Sequence, residues 1–100
     1  MIDQVVILYG AEQDLLTGFF RYDNHGRGLE FYKAVDEKLD LLRHFPEAGS
    51  IYHKNFRRIL LKKRFSYGIY YRIHGNRLII NAILYLKISP GKILERLKGL

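Results

Sequence analysis

The second half of the sequence carries basic and aromatic side chains between apolar ones, and these are the residues best suited to chemistry. The stretch 56-FRRILLKKRF-65 places five cationic side chains among five apolar ones, and 67-YGIYYRI-73 follows with three tyrosines. Guanidinium and ammonium groups bind phosphates or carboxylates, and aromatic rings stack on unpaired bases. Three interpretations are open: an RNA platform, a docking surface for an acidic peptide, and a solvated sheet face.

The positive charge is concentrated in the C-terminal half of the chain. The formal net charge is +7. Residues 1–50 contain five Lys/Arg and nine Asp/Glu, a balance of −4, whereas residues 51–100 contain twelve Lys/Arg and one acid, Glu95, a balance of +11. Such a field attracts polyanions or acidic protein segments and accelerates their encounter, but it does not choose between them.

Length and composition restrict the class of protein. With 100 residues, of which 48% are hydrophobic, residues 1–100 are predicted to form a single domain with one core. The absence of cysteine excludes disulfides, and the four histidines have no metal-ligand spacing, so no metal or cofactor is expected. The start MIDQVVILYG lacks a basic signal region and the apolar length of a membrane helix, which favours a cytoplasmic protein.

Hydrophobic periodicity predicts a helical hairpin followed by strands. The second helix has an apolar stripe of Phe31, Val35, Leu39 and Leu42, and it ends before Pro46. From residue 56 the period changes to two, and Gly75-Asn76 has the composition of a two-residue hairpin turn. The predicted elements are a strand over 5–8, helices over 11–22 and 29–45, strands over 56–65, 67–74 and 77–87, and a closing helix over 90–99.

These elements predict an α+β fold of order β-α-α-β-β-β-α, with the helical hairpin packed on a small antiparallel sheet. Strict alternation places one face of the sheet against the hairpin and leaves the other face basic and aromatic. The residues predicted on that basic face are Arg58, Lys62, Arg64, Tyr70, Arg72, Asn81, Tyr85 and Lys87.

Four phrases in this order resemble the RelE/ParE superfamily of bacterial type II toxins, which includes ParE-like plasmid stabilisation proteins. They are 11-AEQDL-15, 45-FPEAG-49, 57-RRILLKKRFSYGIYYRI-73 and 82-AILYLKISP-90, and the resemblance covers essentially the whole chain. It implies a toxin that a cognate acidic antitoxin neutralises, and an acidic partner suits the basic half. The oligomeric state is left open.

The resemblance implies two cellular targets. In the mRNA-cleaving, RelE-like branch, basic residues of the sheet promote attack of a ribose 2′-OH on its phosphate inside the ribosome. Here Arg58 and Arg72 would clamp the phosphate and Lys87 would stabilise the developing charge. Tyr85 or Tyr70 would stack on a base or move a proton. The pattern departs from that branch, because Gly68 and Ile88 stand where arginines are common in it. That branch also commonly has a C-terminal tyrosine, and 91-GKILERLKGL-100 has none. These losses favour the ParE-like branch, which inhibits DNA gyrase. A decayed toxin that only binds its antitoxin is the third alternative.

An antitoxin segment is expected to cross the sheet and the helical hairpin. Apolar side chains of the segment would pack beside Leu60, Ile79 and Ile83, and its carboxylates would face Arg58, Lys62 and Arg72. The complete set predicted to bind antitoxin or nucleic acid is Arg58, Leu60, Lys62, Arg64, Tyr70, Arg72, Ile79 and Ile83.

Overall fold

A computed structural model describes residues 2–61 and 64–99. Its elements are β1 (Gln4–Ile7), α1 (Tyr9–Asp23), α2 (Gly28–His44), β2 (Ser50–His53), β3 (Phe56–Leu60), β4 (Tyr67–His74), β5 (Arg77–Tyr85) and α3 (Pro90–Leu97). The five strands form one sheet of order β1-β5-β4-β3-β2. The α1–α2 hairpin packs on one face, which confirms the predicted α+β fold.

Two features of the sheet were not predicted. β1 runs parallel to β5 at the edge, so the sheet is mixed rather than antiparallel throughout. The segment Ser50–His53 adds a fifth strand, β2, which pairs with β3 at the opposite edge. Four residues are too few for periodicity to reveal a strand, and β2 is defined by its hydrogen bonds to a neighbour instead.

The second predicted strand, 56–65, is wrong in its C-terminal half. β3 ends at Leu60, which pairs with Gly68 of β4. Beyond this point Leu61 and Phe65 are both buried in the core under the hairpin. Both side chains pack in the same core as Ile59 of β3. Lys62 lies outside the described residues.

A bulge in β5 changes which side chains face the hairpin. Tyr70 of β4 pairs with Ala82, but the next residue, Tyr71, pairs with Ile80, so Asn81 is the extra residue. Because each residue of a strand faces opposite to its neighbour, the bulge inverts the alternation that follows it. Ile83 therefore joins the core under the hairpin.

The predicted face of Tyr85 was consequently wrong. Tyr85 packs against the hairpin core, whereas Ala82 and Leu84 turn to the opposite face.

The two helices of the hairpin pack closely because of a small residue in α1. A Cβ atom on Gly18 would lie 2.4 Å from Cζ of Phe31 in α2. Phe31 is fully buried and contacts the rings of Tyr22, Phe65 and Tyr67. Glycine at position 18 thus allows the central ring of the core to lie between the two helices and the sheet.

Helix α3 covers the opposite face of the sheet. Ser89 caps its N-terminus by accepting a hydrogen bond from the Lys92 amide, and Pro90 occupies the first turn, as predicted. Ile93 and Leu97 form a second apolar cluster with sheet residues. The face that the sequence predicted to be open and basic is therefore partly covered by apolar packing.

Candidate partner-binding surfaces

Arg58 is the centre of what remains of the predicted basic face. It pairs with Tyr70 across β3 and β4, and its guanidinium carbon lies 4.9 Å from the centre of the Tyr52 ring. A Cβ atom on Gly68 would come within 3.2 Å of the Arg58 stem. The absence of a side chain at position 68 thus leaves room for the stem of Arg58 to cross β4, and a cation–π contact holds its charged end.

Tyr70 does not offer a ring to a ligand. Tyr70 is 0% exposed, and its ring packs against that of Tyr52 with the ring centres 5.2 Å apart. Among the described residues, no donor or acceptor is aligned with its hydroxyl. Burial raises the pKa of Tyr70, and the neighbouring Arg58 acts in the opposite direction. The prediction that Tyr70 lies on an open platform is wrong, because α3 and Tyr52 cover it.

The remaining predicted cations are dispersed. Arg72 is half-buried on the same face as Arg58, two residues further along β4 from Tyr70. Arg64 lies beyond β3 and forms an exposed ion pair with Glu30 of α2, so it belongs to the hairpin side rather than to the predicted face. The basic face of the described structure is therefore formed by Arg58 and Arg72.

Tyr85 and Lys87 belong to a different surface from the two arginines. Tyr85 is partly buried against the hairpin core, and Arg21 of α1 stacks on its ring at 4.3 Å. Lys87 follows β5, and its ammonium nitrogen lies 6.0 Å from the centre of the same ring. The sheet thus separates the four residues that the sequence grouped as a catalytic set.

The predicted apolar anchors are mostly inaccessible. Ile79 is 5% exposed and Ile83 is 1% exposed, so neither can provide a docking surface. Leu60, at the end of β3, is 47% exposed and remains available.

A larger apolar surface lies on the outer side of the helical hairpin. A trough of about 300 Å³ between α1 and α2 has apolar walls, and its lining side chains are Leu15, Leu16, Phe19, Phe20, Leu29 and Tyr32. Phe20 is 61% exposed, although phenylalanine side chains are usually buried. We refer to these six residues as the hairpin trough.

The hairpin trough was not predicted from the sequence, because one apolar stripe on α1, such as that of Leu15 and Tyr22, is enough to pack on the core. Leu16 and Phe20, four residues apart, form a second stripe on the same helix. The sequence does show that α1 is apolar on two sides. Only one of these sides can pack on the core, so the other must face solvent or a partner.

Residues 2–61 and 64–99 contain no group of three or more His, Cys, Asp or Glu side chains arranged to hold a metal ion. Within the same ranges, no helix has the length and apolar character needed to span a membrane.

Comparison with known proteins identifies the class of this fold. Residues 6–86 match the family model described as "ParE toxin of type II toxin-antitoxin system, parDE". The chain therefore belongs to the ParE toxin family. No match was found among curated proteins.

A solved structure supports the same architecture. The chain is similar to one titled "Chromosomal ParDE TA system from P. aeruginosa", with 16% sequence identity and a TM-score of 0.65. The similarity covers 87% of this chain and 98% of that chain. At this identity the comparison demonstrates a shared fold.

Proposed function

We propose that this protein is the toxin of a toxin–antitoxin pair, that it inhibits DNA gyrase by direct protein contact, and that a cognate antitoxin neutralises it. Membership of the ParE family supports the first part. The observation that favours gyrase over mRNA is the separation of the candidate catalytic residues by the sheet.

Cleavage of RNA through its 2′-OH requires a proton acceptor, a proton donor and cations that converge on one phosphate. Arg58 and Arg72 lie on the face covered by α3, whereas Tyr85 packs on the hairpin side with Lys87 beside its ring. Tyr70, on the side of the arginines, is buried. Inhibition by contact requires no such convergence, so the arrangement fits a protein target better.

The antitoxin is proposed to use two surfaces of opposite character. The hairpin trough would receive the apolar stripe of an amphipathic segment, which would provide most of the affinity. Arg58 and Arg72 would receive carboxylates, which steer the encounter and fix the register. Leu60 lies next to this basic face and would supply a smaller apolar contact.

The test of the target is DNA supercoiling by purified gyrase. Toxin purified from its antitoxin complex should reduce supercoiling, and added antitoxin should restore it. Relaxation by a type I topoisomerase serves as the control and should be unaffected. Unchanged supercoiling with toxin well above the gyrase concentration would exclude gyrase as the target.

The two other functions predicted from the sequence have distinct outcomes in parallel assays. New 5′ ends in the ribosomal A site, detected by primer extension in a translation extract, would indicate a RelE-like mRNA interferase. Antitoxin binding with no effect on gyrase, message or growth would indicate a decayed toxin.

A further inference from the structure

Two cations meet at one aromatic ring at the end of the sheet. Arg21, in the last turn of α1, donates a hydrogen bond from Nε to the hydroxyl of Tyr67 at 3.0 Å, and its guanidinium carbon lies 4.3 Å from the Tyr85 ring centre. The ammonium of Lys87 lies 6.0 Å from the centre of the same ring. The guanidinium plane is thus held by a hydrogen bond and by a ring, although Arg21 itself is exposed.

Neither cation is neutralised within the described structure. Within the described residues, three other arginines, Arg57, Arg64 and Arg96, have a carboxylate within ion-pair distance. No such partner is present for Arg21 or Lys87 among residues 2–61 and 64–99. Two like charges at one ring repel each other, and a bound anion would remove that repulsion.

The geometry of Arg21 suits a carboxylate. Its Nε is engaged by Tyr67, which leaves the two terminal nitrogens as a fork for the two oxygens of an acid. Because the guanidinium is already held in position, little conformational entropy remains to be lost on binding.

Single-stranded RNA would stack its bases on aromatic rings, and no ring at this site is free for stacking. The guanidinium of Arg21 already lies over the ring of Tyr85, the ammonium of Lys87 lies 6.0 Å from the same ring centre, and Tyr67 is buried. We propose that Arg21 and Lys87 form a second acid-binding site, which takes carboxylates of an acidic protein segment. The proposal rests on the proposed function only in assigning this segment to the antitoxin.

The position of the site relative to the hairpin trough supports a peptide ligand. Phe20 lines the trough, and Arg21 is the next residue of the same helix. A segment whose apolar side chains occupy the trough would reach Arg21 and Lys87 at that end. An apolar stretch followed by acidic residues is the sequence that this surface would select.

The test uses the full chain, a labelled synthetic peptide with a leucine-rich stretch followed by glutamates, its counterpart with glutamine in place of each glutamate, and a single-stranded oligouridine. Affinities are measured by fluorescence anisotropy for wild type and for the double variant Arg21→Gln/Lys87→Gln. The matched control, Arg77→Gln/Lys92→Gln, removes the same charge from two exposed positions. Circular dichroism melts establish that each variant folds.

The glutamate peptide should bind the Arg21→Gln/Lys87→Gln protein about tenfold more weakly than wild type, and the control should change far less. The glutamine peptide should bind weakly to every protein. Equal losses in both double variants, or no peptide binding by wild type, would overturn the proposal. A selective loss of oligouridine binding instead of peptide binding would assign the site to nucleic acid.

These outcomes are independent of the gyrase assay. Selective loss of peptide binding together with unaffected supercoiling would disprove the proposed target and leave the acid-binding site intact. Inhibited supercoiling without selective loss of peptide binding would support gyrase as the target and disprove the acid-binding site.

Discussion

Arg96 of α3 and Asp14 of α1 form a two-pronged ion pair, with Nη1–Oδ1 and Nη2–Oδ2 distances of 2.9 and 2.7 Å. Oδ2 of Asp14 also accepts a hydrogen bond from the Ile83 amide at 3.0 Å. Pairing between β1 and β5 ends at Ile80, so β1 does not extend to Ile83. The carboxylate of Asp14 provides the hydrogen-bond acceptor for the Ile83 amide instead. The same carboxylate thereby joins α1, β5 and α3. Its hydrogen bonds raise the pKa of Arg96.

Breaking this pair should destabilise the whole fold. Asp14→Asn and Arg96→Met should each lower the free energy of unfolding by about 2 kcal/mol, because each leaves a partly buried group without its charged partner. The double variant should lose less than the sum of the two, as expected for coupled residues. Urea denaturation measures these values.

Glu95→Gln, an exposed change in the same helix, is the control and should stay within about 0.5 kcal/mol of wild type. Additive losses in the double variant would show that Asp14 and Arg96 act separately.

Two adjacent tyrosines of β4 should respond differently to loss of the hydroxyl. The Tyr71 hydroxyl donates to the Pro46 carbonyl at 2.6 Å and accepts from the Gly49 amide at 2.9 Å. Tyr71→Phe should therefore cost about 2 kcal/mol. Tyr70→Phe should cost clearly less, because the geometry of Arg58 beside that buried hydroxyl does not make an aligned hydrogen bond in the described structure. Urea denaturation of the matched pair checks this, and a larger loss for Tyr70→Phe would contradict it.

Stability should decline at alkaline pH. Burial is the largest cause that raises the pKa of Tyr67, Tyr70 and Tyr71 above the ordinary value of 10.0. A group whose pKa is higher in the folded state contributes full stability below the unfolded pKa and loses it as pH rises through the folded value. The free energy of unfolding should therefore fall above about pH 10.

Urea denaturation and tyrosinate absorbance, followed together across this range, measure the effect. Tyr70→Phe removes one of the three buried ionisations, so its stability should decline less steeply. An identical slope in wild type and Tyr70→Phe would mean that Tyr70 does not contribute.

Local patterns in the sequence predicted much of this fold. The strand 67–74, the turn at Gly75-Asn76 and the core stripe of α2 depend on neighbouring residues, and all three were predicted correctly. The bulge at Asn81 depends on the register between two strands, which the alternation within one strand cannot reveal.

The candidate site was harder to predict because it depends on packing between distant elements. Tyr70 is buried by α3, which begins twenty residues further along the chain. The contact of Arg21 with Tyr85 joins the first helix to the last strand. A pattern within one segment carries no information on such contacts.

Charge placed in the hairpin trough should weaken antitoxin binding strongly. Leu16→Glu and Phe20→Glu should each weaken the affinity by about 100-fold or more, since a carboxylate would be desolvated against the apolar stripe of the partner. Tyr9→Glu is the control, because Tyr9 is exposed on the same helix but does not line the trough. Isothermal titration with purified antitoxin measures the affinities. Equal effects at all three positions would place the antitoxin elsewhere.

Reversing the charge of the basic face should slow the encounter with the antitoxin. The double variant Arg58→Glu/Arg72→Glu would set like charges against an acidic segment, so the association rate should fall about tenfold and its dependence on salt should weaken. The control, Arg77→Glu/Lys92→Glu, changes the net charge equally at two exposed positions and should slow association less. Surface plasmon resonance at low and high salt measures both rates. An association rate that the first variant leaves unchanged, or that both variants reduce equally, would mean that Arg58 and Arg72 do not face the partner.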